Sequence, residues 1–238
     1  MKILAFESSA KAASVALMED GVLLAEQFQN NGKTHSATLM PMAEAILKDC
    51  DLTPGDVDCV AVAIGPGSFT GVRIGVSAAK GFAWAGEKPC CPVSTLLGMA
   101  SQLKMMTGII CPVMDARRNE VYNALFESDG KTLTRITEDR AISLADLKKE
   151  LENQEKPIFL VGDGSKLCYN TLKEEIPTLV YPPCHLEMQR ASGVAMAAEQ
   201  LIKEGKTVSS NDMTPSYLRL SQAERERLKK EQEMKGDS

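Results

Sequence analysis

Short apolar runs open the chain, and their length and alternation predict a meander of three strands before the first helix. The predicted strands cover residues 2–7, 13–19 and 22–28. Glu19-Asp20-Gly21 separates the last two strands, and Asp-Gly between apolar runs is typical of a hairpin turn. A helical period follows over about 36–50, although Pro41 favours a start later than Ser36 because proline lacks an amide donor.

The first half of the chain continues with a buried apolar run at 57–64, which predicts a fourth strand. A glycine-rich turn then leads into a predicted helix at 70–85. A short strand at 90–93 and a helix at about 95–104 complete this half. The order of elements is therefore a meander followed by alternating helices and strands, which predicts a mixed sheet with helices on its faces.

The second half repeats this order in a looser form. The predicted strands are 109–114, 120–127, 132–136, 157–161 and 178–181, and the predicted helices are 144–152, 165–174 and 191–204. The repetition predicts two α/β lobes, at 1–107 and 108–220, followed by a charged tail at 221–238. The tail is either a frayed helix or disordered, and its many helix-forming residues favour the helix.

Composition places the chain among ordinary soluble proteins, since 44% of its 238 residues are hydrophobic and 25% are charged. Its apolar runs are too short to span a bilayer, and the early Glu7 argues against a signal peptide, so we expect a cytoplasmic protein. Seven cysteines without a Cys-x-x-Cys argue against a disulfide framework or a zinc ribbon. A net charge of −5 argues against strong autonomous binding of nucleic acid.

The stretch from Gly65 to Gly75 reads Gly-Pro-Gly-Ser-Phe-Thr-Gly-Val-Arg-Ile-Gly. A strand, a glycine-rich turn and a helix N-terminus form an arrangement whose unpaired amides can bind an anion. However, the spacing is neither Gly-x-Gly-x-x-Gly nor that of a P-loop. The alternative is a tight turn with close helix packing, because Gly71, Gly75 and Ala79 recur every four residues on one helix face.

Four segments together resemble the TsaB (YeaZ) family, over about residues 1–220. They are Glu7-Ser8-Ser9, the block 65–75, the run Met114-Asp115-Ala116-Arg117-Arg118-Asn119-Glu120-Val121-Tyr122, and Tyr217-Leu218-Arg219. The resemblance implies a two-lobed fold of the type shared by actin, sugar kinases and Hsp70 ATPases, a duplicated mixed sheet flanked by helices. This fold class agrees with the repeated element order.

The resemblance also implies a function. TsaB proteins belong to the bacterial machinery that makes threonylcarbamoyladenosine next to the anticodon of tRNAs reading codons that begin with A. The expected partners are TsaD, the catalytic paralogue that transfers threonylcarbamoyl from its adenylate, and TsaE, a P-loop ATPase. A homodimer is expected when TsaD is absent, and tRNA is expected to be contacted indirectly, through the complex.

TsaD-like proteins carry two metal-binding histidines with three residues between them, and Thr95 and Met99 stand at the corresponding positions here. Neither side chain suits a catalytic metal, and His35 and His185 lie elsewhere in the chain. We therefore expect no metal site, no catalytic residue and no enzymatic activity of the chain by itself.

Candidate nucleotide-binding residues follow from the actin-like resemblance: Glu7, Ser8, Ser9, Gly65, Gly67 and Asp163. The run from Ser8 to Ser14 lacks the glycine that normally lets backbone wrap a phosphate. No cofactor is expected to be required, with ATP or ADP bound only weakly or at a subunit interface. Glu7 as a capping residue and Asp163 as part of a simple turn are the structural alternatives.

The resemblance places partner pairing on the first two helices, and apolar or small residues there suit it. The candidate interface residues are Leu39, Met40, Met42, Ile46, Gly71, Arg73, Gly75 and Ala79. The alternative is that these residues face their own sheet. A polar cluster of Asp115, Arg117, Arg118 and Tyr122 is interpreted as a clamp at the lobe junction, with a buried aspartate paired to arginine, or as a contact to nucleotide or TsaE.

Two other functions remain open. A nucleotide-binding ATPase or kinase-like protein could act alone, with Asp115 or Glu7 as general base. A self-associating regulatory protein with no role on tRNA is the third hypothesis. Nucleotide titration and partner capture separate them from the accessory-subunit hypothesis.

Overall fold

The computed structural model describes residues 1–219, so the predicted tail at 221–238 lies outside the described residues. The first sheet has five strands in the order β3-β2-β1-β4-β5, with β1, β4 and β5 parallel. Its strands are β1 (Lys2–Glu7), β2 (Ala13–Glu19), β3 (Val22–Gln29), β4 (Cys59–Ala63) and β5 (Cys90–Val93). The helices along this part of the chain are α1 (His35–Asp49), α2 (Phe69–Ala85) and α3 (Thr95–Gln102).

The second sheet has the order β10-β7-β6-β11-β12, with β8 paired to β6 and β9 paired to β8. Its strands are β6 (Gly108–Asp115), β7 (Glu120–Asn123), β8 (Phe126–Ser128), β9 (Leu133–Arg135), β10 (Arg140–Ser143), β11 (Ile158–Val161) and β12 (Leu179–Val180). The later helices are α4 (Leu144–Leu151), α5 (Ser165–Leu172), α6 (Cys184–Glu187) and α7 (Ala191–Lys203). Within residues 1–219, no helix is long and apolar enough to cross a membrane.

Strand β1 is buried on both faces, and its successive side chains point alternately into two different cores. Leu4 and Phe6 point into the core beneath α1 and α2, whereas Ile3 and Ala5 point into a core shared with α7. A continuous apolar run is what a central strand covered by helices on both sides requires. The predicted meander is confirmed by the antiparallel pairs β1–β2 and β2–β3.

Helix α7 corrects the predicted lobe boundary, because it packs on the first sheet rather than within the second lobe. Small and apolar residues on one helix face (Ala191, Val194, Ala195 and Ala198) fill that core. Glu26 of β3 fastens the helix start: its carboxylate accepts from the Ser192 backbone amide at 3.0 Å and pairs with the Arg190 guanidinium at 3.0 Å. The second lobe therefore ends before α7.

Replacing Glu26 by alanine is expected to lower the free energy of unfolding by about 2 kcal/mol, because a half-buried arginine and a helix-start amide lose their acceptor. Urea denaturation measures this loss. Glu44→Ala is the matched control, since Glu44 is exposed on α1, and we expect a change below about 0.5 kcal/mol. Equal stabilities of the two variants would contradict the role of Glu26.

Two further predictions are corrected, one by long-range contacts of Asn123 and the other by the exposure of Ala37 to solvent. The predicted strand 120–127 divides into β7 and β8 at Asn123, whose buried amide group donates to the carbonyls of Pro112 (3.0 Å) and Ala124 (3.1 Å). Helix α1 begins at His35 in spite of Pro41. The carbonyl left without its amide partner belongs to Ala37, an exposed residue that water can reach.

Candidate functional site

The loop after β1 packs backbone to backbone against the glycine-rich turn before α2. The Ser8 hydroxyl donates to the Gly71 carbonyl at 2.9 Å, and the Ser68 amide donates to the Ser9 carbonyl at 2.7 Å. A Cβ atom on Gly71 would lie 2.2 Å from the Ser8 carbonyl oxygen, and one on Gly67 would lie 2.4 Å from that of Ser9. Glycine at these two positions therefore leaves the room that the chain's own backbone, at Ser8 and Ser9, occupies.

The candidate anion site at the start of α2 is thus partly occupied from within. The Ser68 amide is bonded to Ser9, and the Gly71 amide donates to the Ser68 hydroxyl at 3.3 Å. Gly65 is covered as well, because a Cβ atom there would lie 2.3 Å from the Ser216 carbonyl oxygen. A phosphate would have to displace these contacts, so the geometry favours the tight-turn interpretation of the motif.

Most of the predicted interface side chains lie inside the first lobe. Those buried in its core are Leu39, Met42, Ile46, Gly71, Gly75 and Ala79. The prediction that they contact a partner is wrong for this conformation, because the sheet beneath the two helices takes up their apolar and small surfaces. A Cβ on Gly75 would lie 2.4 Å from the Ser8 hydroxyl. Met40, 42% exposed, and Arg73 remain on the surface.

The outer surface of α2 carries a second series of small residues that sequence reasoning missed. Ser77, Gly81 and Ala85 are exposed and follow one another at four-residue spacing. A Cβ atom on Gly81 would meet no other atom within 4 Å among the described residues. Trp84 lies nearby and is 71% exposed. The sequence does contain a signal for this second series, which is the same four-residue spacing as that of Gly71 and Gly75.

The loop after β1 brings Glu7 and Ser9 together, and Asp163, which follows β11, lies close enough to act on Glu7 electrostatically. The Glu7 carboxylate is buried and accepts from the Ser9 amide at 2.6 Å. Burial raises the pKa of Glu7 to about 7, and the negative charge of Asp163 contributes to the rise. Burial also raises the pKa of Asp163, which accepts from the Gln189 side-chain amide at 3.1 Å. Within residues 1–219, the Ser9 hydroxyl has no hydrogen-bond partner.

Glu7 and Asp163 offer carboxyl oxygens, which suit a hydrogen-bond donor or a cation better than a phosphate. The part of the chain that the structure describes contains no cluster of three or more His, Cys, Asp or Glu side chains able to hold a metal ion. Thr95 and Met99, at the positions where the resemblance expects histidines, are buried in α3. The imidazole Nε2 of His35 lies 2.8 Å from the Ala10 carbonyl oxygen.

The predicted clamp of Asp115 with Arg117 or Arg118 is wrong. Asp115 is exposed, and its carboxylate accepts from the Arg117 backbone amide at 2.7 Å. Arg117, Arg118 and Asn119 have φ angles of 65°, 57° and 57°, and this left-handed turn directs both arginines towards solvent. Tyr122 is half-buried beneath the Arg219 guanidinium, 5.8 Å from the ring centre.

Residues 213–219 form a C-terminal strap across the mouth of the glycine-rich turn. The Tyr217 ring stacks on Phe69 with centres 4.5 Å apart, and the Arg73 Nε donates to the Tyr217 hydroxyl at 2.7 Å. Arg219 pairs with Glu120 at 2.6 Å. The Tyr217-Leu218-Arg219 motif therefore links the start of α2 in the first lobe to the β6–β7 turn of the second lobe.

Known proteins are similar to this chain over most of its length. A family model described as "TsaD: tRNA N6-adenosine threonylcarbamoyltransferase" matches residues 23–227. The tRNA threonylcarbamoyladenosine biosynthesis protein TsaB of Bacillus subtilis is 33% identical over 225 residues, which are 94% of this chain and 96% of the relative. YeaZ from Pseudomonas aeruginosa is 25% identical with a TM-score of 0.73, covering 91% of this chain and 99% of that one.

A more distant structure extends the fold comparison. The activator of 2-hydroxyisocaproyl-CoA dehydratase from Clostridium difficile, solved with bound ADPNP, has a TM-score of 0.52 at 14% identity over 86% of this chain and 97% of its own. The predicted two-lobed α/β fold of the actin-like ATPase and sugar-kinase type is confirmed. The identity, the coverage and the shared architecture agree, and the chain belongs to the TsaB (YeaZ) family.

Proposed function

We propose that the chain is a non-catalytic subunit in the formation of threonylcarbamoyladenosine on tRNA. In this proposal it pairs with the catalytic paralogue TsaD, recruits the ATPase TsaE, and forms a homodimer when TsaD is absent. Its place of action is the cytoplasm. Membership of the TsaB family is the observation that carries the proposal. Thr95 and Met99 are buried and replace the metal-binding histidines expected of TsaD, which favours the role of an accessory subunit over that of a catalyst.

The exposed side of α1 and α2 is the surface we assign to pairing. Met40 and Trp84 offer large apolar side chains at 42% and 71% exposure, and exposed apolar residues of this size are enriched at interfaces. Ser77 and Gly81 have no bulky side chains, so they form a smooth strip along α2 that a partner helix can approach closely. The candidate Arg73 lies at the end of this strip.

A drop-out assay tests the function. Transfer of labelled threonylcarbamoyl to tRNA is followed with TsaD, TsaE and the adenylate-forming enzyme, with and without the full chain. We expect transfer to require the chain, while the chain alone transfers none. Transfer that is indifferent to the chain would leave family membership as a statement about fold and would refute the accessory role.

Gly81→Arg tests the pairing surface. We expect the heterodimer with TsaD to weaken at least about tenfold, because a long charged side chain fills the strip, while the monomer keeps its stability. Size-exclusion chromatography measures pairing, and thermal melting checks the fold. Asn170→Arg, at an exposed position on α5, introduces the same side chain away from the strip and should leave pairing unchanged. An intact Gly81→Arg heterodimer would contradict the assignment.

A second candidate function, nucleotide binding by the chain alone, has one observation in its favour. The buried Ser9 hydroxyl has no hydrogen-bond partner within the described residues, and Asp163 lies close enough to Glu7 to raise its pKa. Titration of the purified chain with ATP and ADP distinguishes the candidates. Tight binding together with phosphate release would favour an independent ATPase, whereas weak binding without turnover supports the accessory subunit.

A further inference from the structure

Four arginines lie on or beside the C-terminal strap in a chain whose net charge is −5. They are Arg73, Arg117, Arg118 and Arg219. Arg73 bonds to Tyr217 on the strap, and Arg219 reaches the Ala116 carbonyl beside the turn that carries the other two. Within residues 1–219, Glu120 forms an ion pair with Arg219, whereas the Asp115 carboxylate accepts from the backbone amide of Arg117 and not from a guanidinium group. We call this surface the arginine–aromatic patch.

Aromatic rings alternate with the guanidinium groups of the patch. Phe69 and Tyr217 are stacked at an interplanar angle of 13°, and the Arg73 guanidinium lies 5.8 Å and 5.5 Å from their centres. The Arg219 guanidinium likewise lies over the ring of Tyr122, 5.8 Å from its centre. Tyr217 is 40% exposed even with its ring stacked on Phe69. Exposed rings that accept a stacked base, next to arginines that contact phosphate, are typical of surfaces that bind single-stranded nucleic acid.

The turn between β6 and β7 holds two of these arginines out from the surface at an energetic cost. Three consecutive non-glycine residues, Arg117, Arg118 and Asn119, have left-handed backbone angles, which are unfavourable for L-residues. The Asp115 carboxylate and the Leu144 amide, which donates to the Asn119 carbonyl at 3.0 Å, hold the turn in place. Backbone strain of this kind is typically retained at sites with a function.

We infer that the arginine–aromatic patch binds a single-stranded segment of RNA directly. Arg117 and Arg118 contact phosphates, and a base stacks on the exposed side of Tyr217. An acidic protein segment would match the arginines but would leave the exposed ring without a role. The identity of this RNA as a tRNA loop rests on the proposed function. The patch itself does not, and it adds a direct contact to the indirect one expected from the sequence.

Fluorescence anisotropy with a labelled anticodon stem–loop RNA tests the inference, using the full chain alone and mixed with TsaD. We expect R117E/R118E to bind at least about tenfold more weakly and to lose about 1.4 from the slope of log affinity against log salt, from two phosphate contacts. The matched control K131E/K166E makes the same charge change at exposed positions of the second lobe. It should stay within about twofold of the wild type.

The stacking contact has its own variants. Y217A is expected to weaken RNA binding about tenfold with an unchanged salt slope, whereas Y217F, which keeps the ring, should bind almost as the wild type does. Equal affinities of R117E/R118E and K131E/K166E would overturn the inference. So would a variant that binds RNA normally but no longer binds TsaE, which would identify the occupant as a protein.

Failure of the inference and failure of the proposed function give different results. If the drop-out assay shows no need for the chain, the proposed function is refuted, while the anisotropy comparison still decides the patch. If R117E/R118E pairs with TsaD on the sizing column yet has lost RNA affinity, the patch is confirmed as an RNA contact. If it pairs with TsaD and keeps RNA affinity, only the patch is refuted.

Discussion

Replacing Gly71 by alanine is expected to lower the free energy of unfolding by about 3 kcal/mol, a large effect for a single methyl group. The new Cβ atom would lie 2.2 Å from the Ser8 carbonyl oxygen, which belongs to the backbone and cannot rotate away. Relief requires the loop after β1 to move from α2. That movement would break the bond from the Ser8 hydroxyl to the Gly71 carbonyl and the bond from the Ser68 amide to Ser9.

The control is Gly81→Ala on the same helix, where the methyl group meets no other atom of the described chain within 4 Å. Alanine favours a helix over glycine by about 1 kcal/mol, so this variant should be more stable than the wild type. Urea denaturation of both variants gives the comparison. A Gly71→Ala protein as stable as the wild type would mean that the loop and the helix are not packed as described.

The two glycines also show how far sequence could reach at the candidate site. The four-residue spacing of Gly71, Gly75 and Ala79 correctly indicated a close backbone approach. It could not say whether the approaching backbone belonged to a partner or to the chain itself, because a residue 63 positions earlier, Ser8, provides the contact. The outward series that includes Gly81 has the same spacing, so spacing alone cannot distinguish the two faces.

The sequence predicted which strands and helices exist better than it predicted the lobe to which each of them belongs. The first three strands, the strand at 90–93 and the last helix follow from local periodicity, and the structure confirms them. Helix α7 was assigned to the wrong lobe because chain order suggested it, whereas Glu26 and an alanine-rich face bind it to the first sheet. Asp115 and its arginines have the right chemistry for a clamp, but Asp115 is exposed and the left-handed turn over residues 117–119 directs both arginines towards solvent.

Glu7→Gln is expected to raise stability at pH 8 by about 3 kcal/mol and to leave it unchanged near pH 4.5. In the folded protein burial raises the pKa of Glu7 from 4.5 to about 7. Between these values the folded state binds more protons than the unfolded state, so the free energy of unfolding falls as pH rises. The loss is complete above the folded pKa, and 2.5 pKa units at about 1.36 kcal/mol each give about 3 kcal/mol.

Glutamine has no charge to lose, and its amide oxygen can still accept from the Ser9 backbone amide. Urea denaturation of the wild type and Glu7→Gln at several pH values between 4.5 and 8 gives a difference from which every other titrating group largely cancels. Asp163 is the exception, because its charge contributes to the pKa of Glu7, so the pair Asp163→Asn and Glu7→Gln/Asp163→Asn measures that coupling. Glu44→Gln, at an exposed position, should show no such difference.

A stability difference that does not change with pH would mean that the Glu7 carboxylate is solvated or paired in the folded state, contrary to its burial. A difference that grows from pH 4.5 to 7 and then levels would establish that the buried Glu7 carboxyl group destabilises the fold whenever it is ionised. A cation or hydrogen-bond donor that bound beside Glu7 would stabilise the ionised form. Addition of such a cation or hydrogen-bond donor at pH 8 should then stabilise the wild type and leave the stability of Glu7→Gln nearly unaffected.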